Sequence, residues 1–498
     1  MSWPALLATA AAAAVAAAAI SRLLLSPLRA VPGSMLYKLT PLISQMRSLL
    51  GLLADDCEAD YYTYGDIYIV GPGMVVISDP ADCRRVLGSP RFIKSEIYQA
   101  FALIADNIYS TPSAAMASLR RRQLRHPLSP GYLDRAEPDI LRHGARALMA
   151  DWDRQLAGAT GPIRVQYEAA FMSAAVDVLV ALGFGAEGRD VLDTALVVQW
   201  IHDFNWLALA TLTVPWTQAW PLSVFTRRLR ASKDSFTAAV AAVVARRKQR
   251  VASGHGPRSA DILQSLLDAQ EARDGDLSDV QLIAECVAIL IAGSDIVAQT
   301  LTWTLHYLLL HPAHHARAVA EVRGAYPGQP LITYASARSQ LPFLDACLHE
   351  SLRLRAATGV FLPRVVPGEG AVFQGHFLPG GTQVCVNVAG ANHHRESWAA
   401  SHEFRPDRFL GTGAASRIIS FSAGPRVCPG RNLAMAEMLP LLANLLARYD
   451  FSLPPDARFR PDVTDRHGCP VAMPREHRFT CVGPRHPDRD CQVLITPA

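Results

Sequence analysis

Nine cysteines are spread along the chain with no C-x-x-C pair, and one of them has surroundings suited to chemistry. Cys428 lies in the stretch FSAGPRVCPGRNLAMAE, between Gly424 and Gly430 and stiffened by Pro425 and Pro429. A helical run starts just after it. Backbone N–H groups turned toward the sulfur, and the positive potential of a helix N-terminus, both favour thiolate, the form that ligates a metal. Gly424 and Gly430 carry no side chain that would obstruct a flat cofactor lying against the loop. Arg426, two residues before the sulfur, can pair with an anionic group on the same ligand. The other cysteines read as ordinary buried residues. An odd count without paired spacings excludes a disulfide scaffold and a zinc ribbon, and it fits a reducing compartment.

Further side chains join this loop in sequence order. HESLRLR places Glu350 and Arg353 at i,i+3, on one face of a helix. FRPDRFL then offers Arg408, with Pro406 ahead of it. The histidines of HPAHH (His311, His314 and His315) read as a solvated helix end rather than a metal site.

Phe421-x-x-Gly424-x-Arg426-x-Cys428-x-Gly430 matches the haem signature of the cytochrome P-450 family, which the chain therefore resembles. In that family the cysteine thiolate is the proximal ligand of the haem iron. The resemblance implies haem b (iron protoporphyrin IX) as cofactor and Cys428 as its axial ligand. It also implies that Glu350, Arg353 and Arg408 form a buried ion network behind the haem. RRRQLRHPLS resembles the helix that offers an arginine to a haem propionate, and the spacing points to Arg121. The tryptophan usual four residues earlier is Ala117 here. Arg364 in LPRVVP and His394 in NHHRESW match positions that reach propionates or their neighbourhood.

AGSDIVAQT resembles the family's oxygen-binding stretch, where Ala292, Gly293 and Asp295 fit. Gly293 is expected to leave space for dioxygen, and Asp295 to conduct protons. The threonine expected next is Ile296, which has no hydroxyl to take part in proton delivery. Thr300 and Gln299 share its helix face, a turn of about 5 Å away, whereas Ser294 points elsewhere. The resemblance implies a monooxygenase that hydroxylates or otherwise oxidises a small lipophilic substrate, terpenoid, steroid or polyketide-like. Ile296 keeps open a haem-thiolate isomerase or dehydratase acting without external dioxygen. A third reading is a haem binder without activity.

The elements that must position these residues follow from periodicity and breakers. Half of the 498 residues are apolar and 18% are charged, which excludes a disordered chain. A net charge of +4 leaves no electrostatic footprint for nucleic acid. A helix of roughly 50 Å is predicted from about Ser278 to His311, ending before Pro312; it is apolar almost all round and belongs in the interior. Ile67–Val70 and Met74–Ile77 read as a hairpin around Gly71-Pro72-Gly73, and Asp79-Pro80 as a helix start. Residues 372–387 read as two short strands around Pro379-Gly380-Gly381, and Pro440 predicts a kink. The fold class is mainly α with small β-sheets (α+β). The resemblance makes it the cytochrome P-450 fold with a long central helix, preceded by an N-terminal transmembrane helix.

Residues 1–21 carry no charged side chain, and about 20 apolar residues suffice to span a bilayer. Arg22, Arg29 and Lys38 follow the apolar run instead of preceding it. This favours an anchor over a cleaved signal peptide and keeps the body of the chain cytoplasmic. The expected division is an anchor (1–21), a Pro/Gly hinge (22–36) and one catalytic domain (37–498). By resemblance the anchor implies the endoplasmic reticulum membrane, a lipophilic substrate delivered from the bilayer, and an NADPH-cytochrome P-450 reductase as electron donor. Cytochrome b5 is a second candidate donor. Arg426 and Arg431 are candidates for a basic docking face. Ile104, Phe361 and Leu362 fall in segments that line the pocket in relatives. The wording of the motifs resembles fungal secondary-metabolism or steroid-hydroxylating members.

Overall fold

The computed structural model describes residues 20–498 apart from 255–260, 273–276, 329–330, 359, 466–467 and 479–480, together with Trp3 and Ala17. The expected anchor, 1–21, therefore lies almost wholly outside the described residues. The stretch after it, expected as a hinge, lies against the body of the chain. Leu28 and Val31 are buried, and the Ile69 N–H donates to Pro32 O at 2.8 Å. Gly33 makes that crossing possible: at φ +139° an added Cβ would stand 2.9 Å from Ile69 O.

The strands are β1 (Ile67–Gly71), β2 (Met74–Ile77), β3 (Ile163–Gln166), β4 (Phe361–Val365), β5 (Ala371–Phe373) and β6 (His376–Leu378). After them come β7 (Gln383–Asn387), β8 (Tyr449–Ser452), β9 (Arg475–Arg478), β10 (Cys481–Pro484) and β11 (Gln492–Pro497). The largest sheet has the order β1-β2-β7-β4. Its β1/β2 hairpin is the expected one; β2 then pairs parallel with β7, and β7 antiparallel with β4. Residues 371–387 form three strands rather than two. Gln374 and Gly375 both take positive φ (47° and 77°), which makes a two-residue hairpin of the primed type between β5 and β6. Pro379-Gly380-Gly381 serves instead as the link to β7.

The central helix runs Asp279–Leu310, 32 residues, within a residue or so of its expected ends. A capping box sets its start: the Gln281 N–H donates to Ser278 Oγ, and the Ser278 N–H to Gln281 Oε1. It packs along the Tyr167–Val191 helix. Both helices are long and apolar enough to cross a membrane, yet both belong to the main hydrophobic core. Asp79 caps the Pro80–Gly88 helix, its Oδ1 accepting from Asp82 N at 2.8 Å. The Arg431–Arg448 helix continues through Pro440, where Asn444 Nδ2 donates to Pro440 O at 2.7 Å. The HPAHH histidines are half-buried rather than solvated, with His311 and His314 packed around Phe404.

Candidate active site

The cysteine loop closes on itself before its helix begins. The Cys428 N–H donates to Phe421 O at 2.8 Å, and the Phe421 ring lies 5.8 Å from the Arg431 guanidinium. Cys428 is the one exposed cysteine; Cys469 is half-buried and the other seven are buried. The backbone N–H groups of Gly430 and Arg431 point at the sulfur as expected, joined by the charges of Arg121 and Arg431. Burial outweighs them and pushes the thiol up from its ordinary value. The loop alone does not make a thiolate; a bound metal would supply the remaining stabilisation.

The two glycines act differently from each other. A Cβ at Gly430 would lie 3.9 Å from Cys428 Sγ, in ordinary contact with the thiol. Gly424 is fixed by its backbone instead. It takes φ +67°, and an added Cβ would stand 2.4 Å from Leu87 O, where the loop abuts the end of the Pro80–Gly88 helix.

Beside the loop, four cationic side chains from four separate elements line one cleft: Lys94, Arg121, Arg364 and Arg426. Lys94 forms a β-bridge with Arg364 of β4, and its ammonium lies 4.2 Å from the Tyr98 ring. Arg364 donates to Tyr98 Oη at 3.1 Å. Arg426 Nη2 donates to Ser113 O at 2.9 Å, just ahead of the Ala114–Gln123 helix that carries Arg121. Arg121 in turn reaches Val427 O in the cysteine loop. Burial, then the charge of Arg364, pushes Lys94 well below its ordinary value, and the same pair of causes lowers Arg426 to about 10. Arg121 Nε and Arg426 Nη1 are buried without a partner. Such a cradle calls for anionic groups, and two carboxylates of a flat ligand held over Cys428 meet that demand. The residues therefore fit a haem. Ala117, where a tryptophan was expected, lines the same cleft.

Lys94 was missed by sequence reasoning because nothing in its own segment marks it. His394 has other partners: its Nε2 lies 3.5 Å from Asp66, and Ser397 Oγ meets its Nδ1 at 3.3 Å. It takes no part in the cradle. Arg426, expected on a basic docking face, is half-buried and turned to the Pro112 and Ser113 carbonyls.

Behind this region the ion network is complete. Arg353 Nε and Nη2 donate to the two oxygens of Glu350 at 2.7 and 2.9 Å. Arg408 Nε reaches Glu350 Oε1 at 3.1 Å, and the Arg405 N–H reaches the same oxygen at 2.8 Å. The remaining Arg353 donors meet three carbonyls, of Asn392, Ser401 and Glu403. Every lone pair that burial would strand is answered.

The central helix opens at one place. Ile289, Gly293 and Ile296 are half-buried and Ala292 is exposed, a stripe at helical spacing on a helix otherwise buried at its middle. Gly293 also meets a neighbour closely: an added Cβ would lie 2.4 Å from Leu179 Cδ1 on the Tyr167–Val191 helix, so that side chain would have to shift. Its missing side chain is thus taken up by a neighbouring helix. The Thr300 hydroxyl donates to Ile296 O at 2.8 Å, a local bond that occupies it within the helix. Gln299 Nε2 donates to Glu168 at 2.8 Å. Asp295 is turned toward the Thr194–Thr213 helix, where Asn205 Nδ2 donates to its Oδ2 at 3.1 Å. Burial raises its pKa, against the nearby charges of His202 and Arg478. Ser294 is buried. Ile104, Phe361 and Leu362 are half-buried beside the main core and the largest sheet.

The Cytochrome P450 family model matches residues 43–481. The chain is 35% identical to cytochrome P450 monooxygenase helB2 of Aspergillus fumigatus, covering all of this chain and 99% of that one. It is 34% identical to helB1 of the same fungus, over 96% of this chain and 83% of that one. The crystal structure of the cytochrome P450DA heme domain superposes with a TM-score of 0.72 at 20% identity, over 90% of this chain and 93% of that one. With thiol, cationic cradle and ion network already in place, the chain belongs to the cytochrome P450 family, alongside fungal members named as monooxygenases.

Proposed function

We propose that the chain is a membrane-anchored haem-thiolate monooxygenase that oxidises a small lipophilic substrate with electrons from an NADPH reductase. The observation that carries this reading is the one exposed cysteine, Cys428, in a loop beside a cleft that gathers Lys94, Arg121, Arg364 and Arg426, where Arg121 Nε and Arg426 Nη1 are buried without a partner. Cys428 would ligate the iron of haem b, and Arg121, Arg364, Arg426 and Lys94 would hold its propionates. Bound there, the haem supplies dioxygen activation. The protein's part is to orient and to exclude water. Ile289, Ala292 and Ile296 make the least buried stripe at the middle of the central helix an aliphatic surface with no hydroxyl, suited to a substrate bound by apolar contact. Asp295, on the same helix and with its pKa raised by burial, is the candidate group for proton transfer.

Membrane association has support beyond residues 1–21. Trp216, Trp220, Val224 and Phe225 are all more than half exposed on one short segment, and Trp and Phe are the side chains that favour a lipid interface. The endoplasmic reticulum fits an anchored chain whose body stays cytoplasmic.

Ile296 favours a second reading, an isomerase or dehydratase that needs no external dioxygen. Turnover with NADPH and reductase, compared with turnover lacking both, separates the two. Product formed equally well without electrons would exclude the monooxygenase.

The Ile296→Thr variant should form severalfold more product per NADPH consumed. A hydroxyl on the open stripe adds a proton donor beside Asp295, whereas Thr300 Oγ1 is already spent on the backbone. A lower product yield per NADPH would mean that protons travel by a route built around the isoleucine.

A further inference from the structure

We infer a divalent-metal site remote from the cysteine cleft, formed by His402, Glu403 and Cys469 and suited to zinc. One ligand atom from each of the three side chains lies within 4.8 Å of the others. A tetrahedral zinc with sulfur at about 2.3 Å and nitrogen or oxygen at about 2.0–2.2 Å needs these atoms roughly 3.3–3.7 Å apart. Small side-chain rotations close that gap. Thiolate, imidazole and carboxylate form a ligand set that this ion accepts, with a fourth position left for water.

Both backbone segments are already fixed. On one side, Arg353 Nη1 donates to Ser401 O at 2.7 Å and Nη2 to Glu403 O at 3.1 Å, so the buried ion network anchors the residues flanking His402. The Glu403 N–H donates to Ala400 O at 3.0 Å, and Ala400 takes φ +47° to make this turn. On the other side, Asp465 Oδ1 accepts from the Cys469 N–H at 3.1 Å, and the Asp465 N–H donates to Cys469 O at 2.8 Å. Asp465 thus holds the backbone at Cys469 in place. His402 and Asp465 border one open surface cleft, so an ion has a way in.

The competitor for Glu403 is weak. Arg405 Nε lies 3.9 Å from its Oε2, with both side chains more than 40% exposed, and such a pair is displaced at little cost. Metal binding would clip residues 400–403 to the irregular segment that carries Cys469, between β8 and β9.

The test uses tag-free, haem-loaded full-length protein dialysed against zinc, with zinc and iron measured on the same samples. Wild type should retain a single zinc per chain in addition to iron, with one sulfur at about 2.3 Å in the zinc absorption-edge spectrum. His402→Ala and Cys469→Ser should each lose that zinc while keeping their iron, which shows that they remain folded. Failure of wild type to retain zinc, undiminished zinc in either ligand variant, or a zinc shell without sulfur would each overturn the site.

Discussion

Arg353→Ala should cost about 3–5 kcal/mol of stability and leave a protein that unfolds readily and holds haem poorly. The variant removes both oxygen partners that Arg353 gives Glu350, and with them the donors to Asn392, Ser401 and Glu403 carbonyls. Glu350 and Arg353 side chains are fully buried, so the stranded carboxylate and carbonyls cannot recover their bonds from water. Arg408, itself only 13% exposed, reaches just one of the two carboxylate oxygens and cannot replace the lost arginine. Arg353→Lys restores a charge but not the planar fork that serves five acceptors, so it should rescue only part of the loss. Arg317 makes a comparison: it pairs with Asp407 at 2.7 Å, with both side chains about half exposed. Arg317→Ala should cost less than about 1 kcal/mol. Denaturant unfolding of the three variants checks the ranking, and equal losses for Arg353→Ala and Arg317→Ala would contradict the structural role of the buried network.

Cys428→Ala should abolish thiolate ligation and turnover together while leaving the fold in place. The loop does not depend on the sulfur for its shape, since its closing bond runs from the Cys428 N–H to Phe421 O. Gly424 pins it against the Pro80–Gly88 helix by a backbone contact that alanine at 428 does not touch. What the variant removes is the acceptor to which the Gly430 and Arg431 N–H groups point. The cationic cradle stays intact, so haem can still be held by its carboxylates without its axial ligand. Far-ultraviolet circular dichroism should match wild type, and oxidation of any substrate should drop to background. Retained activity with a thiolate spectrum would show that another residue ligates the iron.

The parts of this molecule that were legible in its sequence are those whose physics is local. The central helix announced itself through unbroken apolarity between Ser278 and Pro312. The β1/β2 hairpin did so through Gly71-Pro72-Gly73, and the cysteine loop through its own spacing. Glu350 and Arg353 share a turn of one helix, and the sequence order of Arg408 after them made the network readable. Features assembled from distant segments were not readable. Lys94 matters because it lines one cleft with Arg364, Arg121 and Arg426 from across the fold, and the close approach of Leu179 to Gly293 comes from a separate helix. His394 looked like a haem contact by position, but Asp66, more than three hundred residues earlier, takes its ring. The β5/β6 turn was misplaced because Pro379-Gly380-Gly381 is the louder signal, whereas Gln374 adopts positive φ with Gly375 supplying the second such position.

Ligation of haem iron by Cys428 is the claim on which the rest depends, and the spectrum of the reduced, carbon-monoxide-bound wild-type protein tests it most directly. Purified full-length protein should show the strongly red-shifted Soret band of thiolate ligation, and Cys428→Ala should not. A reduced carbon-monoxide complex of the wild type without that shifted band, or one unchanged in Cys428→Ala, would contradict it.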